Sequence, residues 1–521
     1  MNRITRTSLT AAAILLGLGM NACTDPTESP SSTVTEDNVF KDPGSYRAFL
    51  AKIYAGLAVS GQQGPAGAPD LTNLDEGFSQ YLRLYWEHQE LTTDEAVIAW
   101  GDLGLPELNT QQWGETNGFV STMYNRIFYQ VALANEFLRQ TSDAKLSERN
   151  VSAALRADIQ IFRAEARFLR ALSYSHGLDL FGPIPVVTSF STTPPPQNTR
   201  QEVYDFIVSE LTEVRPLLPA ANGSGTYGRA TQQAASMLLA KVYLNAEVYT
   251  GTQHYAEALT AAQEVINGPY TLDPDYQHLF LADNKTSPEI IFPIIQDGIT
   301  TRTWGGMTFI VHASCGGSMS NAAYGIDGCW WGLRVRPEAY NRFNAADPRG
   351  IFYTSGQTVA INDIKTFTDG IAAPKFQNVT TTGNAGANST HVDTDFPLFR
   401  LGDAYLIYTE AHLRGGGGTR PQALTYVNAL RQRAYGDNSG DITDAQLTLP
   451  FILDERGREL LWEGHRRSDL VRFGQFTGGT YIWTWKGGTQ AGVATDAHLD
   501  LFPIPAEQLS ANPNLTQNPG Y

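Results

Sequence analysis

Amphipathic helical stretches that come as neighbouring pairs, each pair broken by glycine or proline, constrain this chain more than any other feature. One such pair cannot bury its apolar stripe alone, so several must stack, and the chain is expected to be a long, mostly α body built from repeats. Four pairs are legible. The third is the clearest: Ala235, Leu238, Leu239, Val242, Tyr243 and Ala246 recur at helical spacing within Ala230 to Tyr249, and Thr250-Gly251-Thr252 then turns the chain into Tyr255 to Ile266. The fourth joins Phe399 to Leu413 with Pro421 to Ala434 through Gly415-Gly416-Gly417-Gly418. A phosphate-binding loop would place Lys-Ser or Lys-Thr after those glycines, but Thr419-Arg420-Pro421 follows, which marks a turn. The second runs from Leu155 to Leu180 and from Glu202 to Leu217, split by Gly182-Pro183-Ile184-Pro185 and Pro194-Pro195-Pro196, where proline forbids a continuous helix. The first joins Gly44 to Leu57 with Phe119 to Arg139 across a long insertion holding Trp86, Trp100 and Trp113.

Insertions in repeat folds lie on one face and commonly carry binding. A second irregular block, residues 268 to 398, loses helical periodicity and reads as loops and short strands rich in Gly, Asn, Thr and aromatics.

The N-terminus gives an address. Arg3 and Arg6 precede an apolar run from Leu9 to Gly19, too short to span a bilayer, and small Ala22 stands just before Cys23. The pattern resembles a bacterial lipoprotein signal, which implies removal of residues 1–22 and lipidation at Cys23. An ordinary secretory signal cut at Ala22 is the alternative. Residues 23–37, with Pro26, Pro30 and a Ser/Thr run, read as a flexible lipid tether, and a single folded domain is expected over 38–521. Of the three cysteines, Cys23 then belongs to acyl chains and Cys315 and Cys329 remain as an even pair. Export favours a disulfide between them, against two buried free thiols, and closing so short a loop would add about 3 kcal/mol. The net charge of −16 argues against nucleic acid and against broad adhesion to anionic lipid.

Motifs spread along the chain resemble the SusD/RagB family of outer-membrane nutrient-binding lipoproteins. Arg163-Ala164-Glu165-Ala166-Arg167-Phe168-Leu169-Arg170-Ala171 leads to Leu180-Phe181-Gly182-Pro183-Ile184-Pro185, and Arg229-Ala230-Thr231 and Tyr405-Leu406-Ile407-Tyr408-Thr409-Glu410-Ala411 follow. Then come Asp454-Glu455-Arg456-Gly457-Arg458-Glu459-Leu460, Glu463-Gly464-His465-Arg466-Arg467-Ser468-Asp469-Leu470, and the tail Phe502-Pro503-Ile504-Pro505 with Gln517-Asn518-Pro519-Gly520-Tyr521. The resemblance implies four tetratricopeptide-like helix pairs as scaffold, with an N-terminal repeat half over 38–267 and a C-terminal half over 268–521. It implies a loop-rich ligand face, oligosaccharide binding at the cell surface without catalysis, and a TonB-dependent transporter of the SusC type as partner in the outer membrane.

Sugar recognition needs flat apolar faces against pyranose C–H groups, with polar groups for the hydroxyls. Two loop regions offer that mixture: Trp100, Asp102 and Asn109 in the first insertion, and Trp304, Tyr324, Asp327, Trp330 and Trp331 in the second, where a Cys315–Cys329 bond would brace the loop. Trp86 and Trp113 read as packing residues. Charges at helical spacing, in Arg163, Glu165, Arg167 and Arg170 and in Glu463, Arg466, Arg467 and Asp469, read as scaffold ion pairs. No cofactor is expected: no His pattern has metal-ligand spacing, and no acidic loop supports calcium. Two rival readings remain, a peptide-binding import subunit of the RagB kind and a surface glycoside hydrolase, although no G-x-S-x-G elbow is present and the many carboxylates single out no catalytic pair.

Overall fold

The computed structural model describes residues 36–521, so Cys23 and the signal lie outside the described residues. The candidate site falls wholly within the compact unit Tyr46–Tyr521.

All four helix pairs are present. In the first, the Gly44–Ala58 and Gly118–Gln140 helices meet through an edge-to-face contact of Phe49 with Phe137, and Gln130 Nε2 donates to the Ile53 carbonyl at 2.8 Å. The Ala153–Phe181 helix is next; it packs against both Gly118–Gln140 and Arg200–Val214. Its capping is local: the Ser152 side chain accepts from Leu155 N–H, while Thr199 and Glu202 form a reciprocal capping box at the start of the partner helix. In the third pair, Gln232–Leu244 packs on Tyr255–Ile266, which in turn packs on Leu401–Leu413 and so joins the third pair to the fourth. Leu406, Leu430 and Leu460 form a fully buried cluster behind the fourth pair. Gly415, Gly417 and Gly418 all take positive φ between Leu401–Leu413 and Arg420–Tyr435, a conformation that strains residues with a Cβ.

The boundaries needed three corrections. The third pair's first helix breaks at Asn245 and resumes as Ala246–Thr250. Phe399 and Arg400, expected in a helix, instead end strand β4 (Phe396–Arg400), which pairs antiparallel with β2 (Ile290–Ile294) and sets Phe399 opposite Phe292. Within 268–398, Gly306–Ala313 is a helix with every residue buried. It is only eight residues long, and its two polar side chains, Thr308 and His312, share one face but are buried against backbone partners, so no solvent-facing stripe marks it in the sequence.

The motif charges tie elements together. Arg167 and Arg170 share Glu210 of the next helix, and Glu165 pairs with Arg229 across to the third repeat. Arg466 pairs with Asp94 at 2.7 Å, and Asp469 lies between Arg456 and Arg472.

Candidate functional site

Two distant loops become one surface through a short antiparallel ladder. Strand β1 (Val97–Ile98) pairs with β3 (Leu333–Arg334), setting Val97 opposite Arg334 and Ile98 opposite Leu333, and Ala99 N–H extends the ladder to the Gly332 carbonyl at 2.9 Å. The residues just beyond each strand therefore meet. Trp100 Nε1 donates to the Trp330 carbonyl at 3.0 Å, and the two ring centroids lie 6.3 Å apart with planes turned by 42°. Gly332 packs against Trp100: an added Cβ would stand 3.0 Å from the indole, so a larger residue there would push the ring away.

A third indole completes a row. Trp304 precedes the buried Gly306–Ala313 helix, its N–H donating to Glu76 Oε2 at 2.9 Å, and its ring lies 6.2 Å from Trp330 at 48°. Trp330 is thus the middle ring of three. Behind it His312 stacks at 4.6 Å and 26°, held between the Gly328 carbonyl (2.7 Å from Nδ1) and the Thr390 carbonyl (3.0 Å from Nε2). Trp304 keeps 39% of its surface exposed, and Trp100 and Trp330 are part-exposed. Cys315 and Cys329 are disulfide-bonded, so the loop that ends in Trp330 is covalently closed.

The floor beneath Trp100 carries charge that was not singled out in the sequence. The Arg83 guanidinium lies 3.9 Å from the centroids of both Phe78 and Phe309 and 5.6 Å from that of Trp100, and it pairs with Glu87 at 2.9 Å. Its Nη2 has no hydrogen-bond partner, nor has Glu87 Oε2. Burial raises the Glu87 carboxyl to about 7 against the pull of Arg83, and nearby Asp102 and Asp75 add to the rise. A folded value above the unfolded one means the native state holds the extra proton, so the penalty is full above pH 7 and fades as pH falls toward 4.5. Glu87→Gln is therefore expected to stabilise the protein at pH 8, on the order of 2 kcal/mol, and to change little at pH 4.5. Denaturant midpoints at the two pH values check this; a variant weaker at pH 8 would mean Arg83 requires the charge.

The other predicted residues divide. Asp102 is exposed beside the row. Asp327 is exposed too, accepts from the Thr390 hydroxyl and lies 4.0 Å from His312. Asn109 is corrected: it is buried, and its amide is consumed by the Ile98 backbone, accepting from N–H at 3.1 Å and donating to C=O at 3.0 Å, which makes it a brace for β1. Trp331 and Tyr324 share no ring contact with the three-indole row among the described contacts. Trp86 and Trp113 are buried, and their Nε1 groups donate to the Trp462 carbonyl and the Tyr521 hydroxyl. Arg83, Phe309 and Gly332 were missed; the first two signal only as part of apolar runs.

Two other features bear on function. A small cavity of about 50 Å³ between Tyr85, His176, Asp179, Lys241, His465 and Arg472 has room for a few water molecules. Among the described residues, no group of three or more His, Cys, Asp or Glu is placed to hold a metal ion, and no helix is long and apolar enough to cross a membrane.

Comparison with known proteins adds the family. A model described as "SusD family" matches residues 348–521, and one described as "Starch-binding associating with outer membrane" matches residues 71–244. The starch-binding protein SusD of Bacteroides thetaiotaomicron is 33% identical, with 98% of each chain covered, and SusD-like protein P2 of Formosa agariphila is 27% identical, again with 98% of each covered. Among solved structures, surface glycan-binding protein A of Bacteroides thetaiotaomicron superposes with a TM-score of 0.72 at 22% identity, covering 93% of this chain and 100% of that one. The same protein in complex with laminarihexaose gives 0.69 at 22% identity, covering 91% and 98%.

Proposed function

The chain belongs to the SusD family, and on that premise we propose that it is a cell-surface lipoprotein that binds a starch-type glucan without cleaving it. The observation that carries this reading is the row Trp100–Trp330–Trp304, whose successive rings turn by 42° and 48°. A straight glycan chain would suit coplanar rings, whereas a turned row follows a chain that coils, as an α-1,4-glucan does. Exposed Asp102, two residues from Trp100, suits sugar hydroxyls. The bound chain would pass to a TonB-dependent transporter of the SusC type, with the lipid on Cys23 holding the protein beside it in the outer membrane.

Binding to a panel of α- and β-linked oligosaccharides tests the ligand, with release of reducing ends measured in the same samples. Affinity confined to α-glucans, with no new reducing ends, is the expected result. Preference for β-linked chains would sink the starch reading, and released ends would replace binding with hydrolysis. Cys23→Ala should free the protein from membranes and leave its affinity in solution unchanged; retention on the membrane would mean another anchor holds it.

A further inference from the structure

Trp331 follows the middle ring of the row directly in sequence, yet it belongs to different surroundings. Trp331 is 50% exposed, and its one described ring contact is with Phe367 at 5.9 Å and 59°, whereas Trp330 contacts Trp100, Trp304 and His312. The backbone makes this separation. Trp331 has φ +56°, in the left-handed region, which costs a residue with a Cβ about 1–3 kcal/mol. That conformation is held from two sides: Trp331 N–H donates to the Cys315 carbonyl at 2.9 Å, and Cys315 is bonded to Cys329 two residues before Trp331. A large indole kept half in water on a strained, cross-linked backbone is not explained by packing.

Polar groups suited to sugar hydroxyls continue from it. Phe367 lies under Gly316, where a Cβ would stand 2.7 Å from its ring, and close to Gly317; the next residue, Ser318, is exposed, its Oγ 2.9 Å from the Tyr353 hydroxyl. Tyr353 also neighbours Tyr324, whose hydroxyl is pushed up by burial and by that neighbour.

We propose that Trp331, with the Ser318 and Tyr353 hydroxyls, forms a second sugar-stacking platform that takes a more distant stretch of the same polysaccharide held by the three-indole row. This rests on the glucan reading of that row. Two linked contacts on one chain raise the local concentration of the second, so the platform matters for long ligands and not for short ones.

The test compares maltotriose with soluble amylopectin, titrated against the full chain and three variants. Trp331→Gly is chosen because glycine accepts positive φ and so leaves the loop unstrained; Trp331→Tyr restores a flat ring. Trp331→Gly should bind maltotriose within about twofold of the parent but lose about tenfold for amylopectin, and Trp331→Tyr should recover most of that loss. Unchanged amylopectin affinity in Trp331→Gly overturns the proposal, and so does an equal loss for both ligands, which would make Trp331 part of the first site. Trp330→Ala separates the two ideas: if it still binds maltotriose as the parent does, the row itself is misread, whatever Trp331 does.

Discussion

Trp330→Ala should lose about a hundredfold or more in α-glucan affinity, equivalent to roughly 2.7 kcal/mol or more. The middle ring is the costliest to remove because it supplies its own stacking face and also sets the spacing of the outer two, at 6.3 Å from Trp100 and 6.2 Å from Trp304. Without it the row becomes two isolated rings, and His312 loses the indole stacked on it at 4.6 Å. The Trp330 backbone contacts survive the change, since its N–H still donates to the His312 carbonyl and its own carbonyl still accepts from Trp100. The fold should therefore persist while binding fails. Calorimetric titration with a maltooligosaccharide, beside a thermal melt, separates the two, and Trp330→Phe should restore part of the affinity. Trp113→Ala is the matching control: it removes a buried ring against Phe502 and should lower stability by about 3–5 kcal/mol with little change in the affinity of folded protein. Equal affinity in Trp330→Ala and the parent would remove the row from the binding site.

Arg400→Ala should cost about 3–5 kcal/mol or more of stability, a large share of the roughly 5–15 kcal/mol that holds a typical protein together. Arg400 ends β4 and is buried among three glutamates: Nη1 donates to Glu289 at 2.8 Å and Glu459 at 2.7 Å, and Nε donates to Glu463 at 2.6 Å. Arg349 and Arg433 also reach Glu459, and Lys375 reaches Glu463 at 2.7 Å, so the acids would not be left wholly unpaired, but three would share too little positive charge. Burial alone would raise the Glu459 carboxyl, yet Arg433, Arg400 and Arg349 hold it well below the usual carboxylate range. Adjacent Glu455, buried among Arg349, Arg458 and Arg431, is held down at about 2. A depressed folded value means stability that is present above about pH 4.5 and lost as pH falls through the folded value. In the parent this contribution should therefore fade progressively as pH falls from about 4.5 toward 2, and Arg400→Ala should unfold at distinctly higher pH. Circular dichroism through an acid titration checks this; coincident curves would show that the network is dispensable.

The network also reaches the site. Trp462, beside Glu463, donates from Nε1 to the Glu95 carbonyl, and Arg466 and Arg342 clamp Asp94 and Glu95 immediately before β1. β1 in turn presents Trp100. Partial loosening of this network is expected to weaken sugar binding by displacing β1, with no contact to the ligand itself.

Much of the scaffold was legible because helix packing leaves a local trace: an apolar stripe repeats every three or four residues, and glycine or proline marks where one helix of a pair ends. The Gly306–Ala313 helix left no such trace, being short and buried on every side, its polar Thr308 and His312 included. Residue chemistry in the loops was legible to the same local extent. Asn109 looked available because it lies in the first insertion near Trp100 and Asp102, but its amide matches the orphan backbone groups of Ile98, a need that exists only once β1 is formed.

By itself, the sequence determined a mostly helical body, a candidate cysteine pair in Cys315 and Cys329, and tryptophans in two loops. Only the tertiary structure decided which tryptophans act together. The β1–β3 register brings Trp100 to Trp330, while adjacent Trp331, at positive φ, meets Phe367 and no ring of the row among the described contacts. Side-chain periodicity is a property of neighbours along the chain; the meeting of residues more than two hundred positions apart is fixed by backbone pairing and burial, which no local pattern records.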